Sequence, residues 1–188
     1  MPLTQLDAVA ALIVIDLQKG IASQPLAHPS SEIIARSAQL AHTFRQRGLP
    51  VVLVNVTAPP TGRTDAGFRN FAFPPDWADL VPALDQQPTD ILISKQCIGA
   101  FTGTALDENL RSRRVTQVFI TGIATSIGVE GTARTAYDLG YNVVLVTDAI
   151  TDRALEAHNH SVETLFPRIG ETTTTAEALT LLNQAPPQ

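Results

Sequence analysis

The chain has 188 residues, 44% of them hydrophobic and 16% charged, and a net charge of −5, which suits one domain with a sizeable core. No apolar run approaches the roughly 20 residues that a membrane helix needs, and with no basic cluster and few aromatics the footprint of a nucleic-acid binder is missing, so a small molecule is the expected partner. The single cysteine, Cys97, excludes an internal disulfide framework and a cysteine-rich zinc site, and an N-terminal stretch without a basic start predicts no secretory signal and a cytoplasmic location.

The first element in the chain is "AALIVID" (10–16), a short continuous apolar run of the kind that parallel strands covered on both faces require. "SSEIIARSAQLAHTFRQRGLP" then predicts a helix: Ser30 or Ser31 as N-cap, an apolar stripe through Ile33, Ile34, Leu40, Ala41 and Phe44, basic Arg45 and Arg47 in the last turn, and Gly48 as C-cap. "VVLVNV" (51–56) predicts a second strand. The connection 57–89 is rich in Pro and Gly, holds the only Trp, and is long enough to predict a functional or interacting surface. Further strands are expected at 90–95, 117–122 and 142–148, with helices near 104–113, 126–139, 153–165 and 175–183. This β-α-β alternation predicts a single α/β domain over 1–188: a doubly wound, Rossmann-like three-layer sandwich with a mainly parallel sheet of about six strands.

In such sheets ligands bind beyond the carboxyl ends of the strands. Those ends deliver Asp16, Lys95, the turn "TGIATSIGVEGTAR" (121–134) and Asp148. Asp16 reads either as a loop-starting aspartate that bonds nearby backbone N–H groups or as an acid facing a ligand. Lys95 reads either as a solvated lysine or as that acid's partner. Asp148 fits a helix cap better than a site, and Thr125 and Ser126 fit caps better than nucleophiles, since no histidine is placed in the sequence to serve them as a base. His28, His42, His158 and His160 show no metal-ligand spacing, and His158 and His160 face different sides of a helix. No metal and no cofactor are expected.

Taken together, "LIVIDLQKG", "SKQCIGAFTGTALDENLR" and "TGIATSIGVEGTARTAYDLGYNVVLVTDA" resemble the isochorismatase-like, or cysteine hydrolase, family over nearly the whole chain. The resemblance implies a parallel sheet flanked by helices and a homodimer or larger homo-oligomer; separately, the apolar residues Phe68, Phe71, Phe73 and Trp77 of the long loop make it a candidate interface. The resemblance also implies a catalytic set of Asp, Lys and Cys. Asp16 and Lys95 match the first two, and Gly128 stands where the Cys would be. A cis peptide is implied at Ile123–Ala124, aiming the N–H groups of Ala124 and Gly128 of the Thr125 turn at one point. Asn55, Phe101 and Ser126 become candidate substrate-binding positions. Where isochorismatases of this type show Tyr, His and a strand-two Gln, this chain has Ala124, Ser126 and Asn55-Val56-Thr57, and the metal-binding D-x-H of nicotinamidases is absent.

Glycine at the nucleophile position is compatible with one chemistry of this family. An amide needs a nucleophile, whereas an enol ether needs a proton on its terminal carbon, after which water captures the oxocarbenium ion. The expected function is therefore a hydrolase of a small acidic or enol-ether substrate, with Asp16 kept protonated by burial as general acid and Lys95 orienting the substrate or stabilising its carboxylate. Two alternatives stand beside it: a catalytically inactive small-molecule-binding or scaffold protein on the same fold, and an amidase using Cys97, which shares a face with Lys95 in extended backbone.

Overall fold

The computed structural model describes residues 3–65 and 73–184. Six strands form one sheet: β1 Ala10–Ile15, β2 Val51–Val56, β3 Ile91–Lys95, β4 Gln117–Ile123, β5 Asn142–Thr151 and β6 Glu171–Thr173. Their order is β3-β2-β1-β4-β5-β6, and every pairing is parallel. The sheet is therefore doubly wound, as expected. Every residue of β1 and β4 is buried, which explains the unbroken apolar run of β1 and the mainly apolar one of β4, whereas edge strand β3 alternates buried and exposed residues.

Helices cover both faces. Ala11, Ile13 and Ile15 point into a core that holds Leu106 and Leu110 of α3 (Leu106–Ser112), Ala133 and Ala136 of α4 (Glu130–Asp138), and Phe166 of α6 (Phe166–Ile169). Leu12 and Val14 point the other way, against Ile33, Leu40 and Phe44 of α2 (Ser30–Gln46) and Ala178 and Leu182 of α7 (Thr175–Gln184). Each such Leu, Ile or Phe removed from water contributes roughly 1.5–3 kcal/mol, so the two-sided core favours this register of strands strongly. Two short helices, α1 (Lys19–Ala22) and α5 (Leu155–His160), complete the set with the 3₁₀ turn Pro82–Leu84.

Several local expectations are corrected. Helix α2 has Pro29 at its N-cap without a side-chain bond, and Ser30 is already helical. Its C-cap is Arg47, and Gly48 lies one residue beyond at φ +68, the left-handed position that ends many helices. Strand β5 runs past Asp148 to Thr151, because its pairing with β4 shifts register between Ile120 and Gly122. The predicted helix near 126–139 opens one residue earlier, as a π-helical turn Thr125–Val129, and the one near 153–165 is α5 followed by a second π-helical turn, Ser161–Leu165.

Part of the long connection is tied down. Gln18, fully buried, donates to Val56 O and Trp77 O and accepts from the Val56 N–H. Lys19 pairs with Asp76 and Asp79, both at 3.1 Å. Phe73 and Trp77 are half-buried and stack with ring centroids 4.0 Å apart, and Phe68 and Phe71 lie outside the described residues.

Candidate active site

The chain leaves the sheet in opposite directions from β1 and β4, so the carboxyl ends of these two strands form the topological switch point, the place where open α/β sheets generally take ligands. Gly122 makes the junction possible. At φ +116 its chain crosses so close to β1 that an added Cβ would stand 2.0 Å from Ile15 O. The following Ile123–Ala124 peptide is cis, as the resemblance implied. Ile127 and Val129 both donate back to Ala124 O at 3.1 Å, the Val129 bond being the wider one that defines a π turn.

Asp16 ends β1 at φ 52 and is only 4% exposed. Lys95, 3% exposed, reaches it from the end of β3 across the intervening strand β2. Its Nζ donates to Asp16 Oδ2 at 2.8 Å, Ile98 O at 3.0 Å and Cys97 O at 3.3 Å, so all three ammonium protons have acceptors. Asp16 Oδ1 is buried without a hydrogen-bond partner. Burial pushes the Asp16 carboxyl up to about 6, against the opposing pull of Lys95. Gly128 faces the pair: a Cβ there would stand 3.1 Å from Asp16 Oδ2 and 3.0 Å from Ile15 Cγ2.

The other predicted residues divide. Ser126 and Thr125 belong to the turn, but neither caps it in the expected way. Ser126 N–H and Oγ donate to Asp152 Oδ2 at 2.7 and 2.8 Å, and Thr125 Oγ1 lies 2.9 Å from His158 Nδ1. A histidine thus stands beside the Thr125 hydroxyl, whereas the Ser126 hydroxyl is bonded to Asp152, and Asp152 and His158 are the residues that sequence reasoning missed. Asn55 donates to Ala78 O at 2.8 Å, so its amide holds the long connection. Phe101 is buried in the α3–α4 core, its ring 5.9 Å from Tyr141. Asp148 accepts from Thr175 N–H and Oγ1 at 2.7 and 2.8 Å and thus caps α7, in line with the structural reading. Cys97 is half-buried and meets Lys95 through its backbone oxygen. Among the described residues no group of three or more His, Cys, Asp or Glu side chains could hold a metal ion, and no helix is long and apolar enough to cross a membrane.

The comparisons with known proteins agree with this architecture. A family profile described as the isochorismatase domain matches residues 10–177. An isochorismatase family protein of Bacillus subtilis is 38% identical over 177 residues, covering 90% of this chain and 92% of its own. A ureidoacrylate amidohydrolase of Variovorax paradoxus is 28% identical over 199 residues, covering 88% of this chain and 79% of its own. The solved structure of an isochorismatase family protein from Burkholderia thailandensis superposes with a TM-score of 0.92 at 38% identity, covering 96% of this chain and 98% of that one.

Proposed function

Because this chain belongs to the isochorismatase family, we propose that it is a hydrolase of a small molecule whose reaction starts with a proton from Asp16 and uses no side-chain nucleophile. The observation that carries this reading is Asp16 Oδ1, a buried, unpartnered carboxyl oxygen on a group whose ionisation burial raises to about 6. A carboxyl so placed can hold a proton near neutral pH and give it away. In the proposed reaction Asp16 protonates the terminal carbon of an enol ether, the C=C pair forming the new C–H bond. Water adds to the resulting oxocarbenium carbon, its proton returns to the Asp16 carboxylate, and the hemiketal collapses to an alcohol and a carbonyl acid. The turn amides of Ala124 and Gly128 would meet negative charge on the substrate.

Lys95 receives a narrower role than the sequence suggested. With its three protons already accepted, it holds Asp16 Oδ2 and leaves Oδ1 as the donor. An amidase reaction remains the second reading, because a relative 28% identical is a ureidoacrylate amidohydrolase and Cys97 lies beside Lys95.

The test compares wild type and Asp16→Asn on a panel of enol-ether acids and small amides, with circular dichroism to confirm folding. The expected outcome is enol-ether turnover that falls by about 10²–10⁴-fold in Asp16→Asn and survives alkylation of Cys97. Inactivation by one equivalent of alkylating agent, prevented by substrate, establishes the thiol reading instead. No turnover by wild type, with equal ligand affinity in Asp16→Asn, identifies a binding protein.

A further inference from the structure

The turn that carries Gly128 is held from behind by groups that the proposed reaction does not use. Thr125 is fully buried, and its hydroxyl meets His158 Nδ1 at 2.9 Å. His158, 7% exposed on α5, sets its ring edge against His28 with centroids 4.8 Å apart. His28, in the loop before α2, in turn meets Thr151 Oγ1 through Nδ1 at 3.0 Å and through its own N–H at 3.1 Å. Thr151–His28–His158–Thr125 is thus one chain of contacts from the end of β5 to the turn.

We infer that His158 is a positioning residue that fixes the backbone of the turn through Thr125, and that uptake of a proton by His158 loosens this hold. The inference concerns the site on which the proposed function rests, and it deepens that reading by giving the site a pH-dependent support.

Proton accounting explains why. A neutral imidazole has one N–H donor and one acceptor nitrogen, so His158 Nδ1 can accept the Thr125 hydroxyl proton while Nε2 carries the ring proton. Protonated His158 has two donors. Nδ1–H then points at the same oxygen, and Thr125, enclosed with 0% exposure, must turn its own proton toward another acceptor. A buried hydroxyl that loses its acceptor is destabilised, and the strain falls on the residue that opens the turn.

The charged surroundings set the direction. His28 faces His158 from the loop before α2, and Asp152 faces it from the end of β5. On α4 the nearest acid, Glu130, is taken by Ser161 Oγ at 2.7 Å and by Arg134 at 3.0 Å. On α5 itself Glu156 and His160 are exposed. Burial first and His28 second hold the His158 imidazolium below the usual histidine range, against the pull of Asp152. The neutral, turn-holding form therefore prevails at neutral pH.

The test needs no substrate, so its failure and that of the hydrolase reading are distinguishable. In the full ¹⁵N-labelled chain, NMR follows the amides of residues 124–128 and the His158 ring protons from about pH 8 to about pH 5, bracketing the unperturbed histidine value. The series is repeated in Asp16→Asn, because Asp16 titrates beside Gly128 and would otherwise contribute its own midpoint. The expected result is turn amides that shift with the His158 midpoint, below 6.5. In His158→Gln the shift vanishes and the high-pH pattern persists; in Thr125→Val His158 still titrates but the turn no longer follows. His28→Gln raises the midpoint. Turn amides that ignore the His158 titration in wild type, or that keep it in His158→Gln, overturn the inference. Should His158→Gln not fold, Thr125→Val and His28→Gln decide alone: an unchanged turn titration in both overturns it.

Discussion

Asp16 is the residue on which the proposed chemistry turns, and its surroundings fix how activity should depend on pH. The carboxyl is a donor only while protonated, and burial places its midpoint at about 6. For a substrate without titrating groups of its own in this range, kcat/KM should be level below that value and fall tenfold per pH unit above it. A profile level from about pH 5 to about pH 8 would remove Asp16 from the proton-donating role. Gly128 allows the complementary experiment. A Cβ at this position stands 3.0 Å from Ile15 Cγ2 and 3.1 Å from Asp16 Oδ2, so Gly128→Cys fits only if these neighbours yield by a few tenths of an ångström. The variant should lose about 1–3 kcal/mol to crowding, measured by urea denaturation, while placing a thiol beside Asp16 and Lys95. It should gain reaction with small amides or esters and lose enol-ether turnover, since the thiol presses on the proton donor. Undiminished enol-ether activity in this variant would argue that Asp16 needs no freedom from its neighbour.

At the scale of elements, the parts that were legible in the sequence are those decided locally. Strands covered on both faces need continuous apolar runs, and their last residues then name the sheet edge, which is how Asp16 and Lys95 could be read together although 79 residues apart. What escaped was fixed by distant register. The shift between Ile120 and Gly122 carries β5 on to Thr151 and brings Asp152 to Ser126, and no local pattern around residue 148 encodes that. The surroundings of Asn55 and Phe101 were not legible for a related reason, because motif position says where a residue stands along a strand or loop but not whether a loop or the core will cover it. The long connection shows the same dependence. It is fastened by Gln18 and Asn55 and by the contact of Trp77 with Gly20, where an added Cβ would stand 1.9 Å from Trp77 Cδ1. Gly20→Ala should therefore displace the only tryptophan, shifting its emission to the red, and cost about 1–3 kcal/mol by overpacking. Unchanged emission would mean that Trp77 does not rest on Gly20 in solution.

For the molecule as a whole, the buried titratable groups oppose one another, and the balance can be measured without knowing the substrate. The Asp16 carboxyl is raised from 3.8 to about 6 on folding, so between these values the folded chain holds a proton that the unfolded chain has released. Its contribution to stability is therefore greatest at low pH and is lost as pH rises through about 6. His158 acts with the opposite sign: its midpoint is lowered, so as pH falls below 6.5 the unfolded chain takes up a proton that the folded chain refuses. Asp76 and Glu177, also lowered, are fully exposed and add little that salt does not screen. Asp16→Asn removes only the first contribution. Its unfolding free energy should therefore climb more steeply than that of wild type between about pH 4 and about pH 7.5, by about 2 kcal/mol over the interval for a shift of this size. Urea titrations of both proteins at the two pH values give the difference, and taking it as a double difference cancels the loss of the Lys95 hydrogen bond wherever Lys95 stays charged. Parallel curves would show that Asp16 ionises in the fold as it does in the open chain, and an acid of that kind would not retain the proton that the proposed reaction requires.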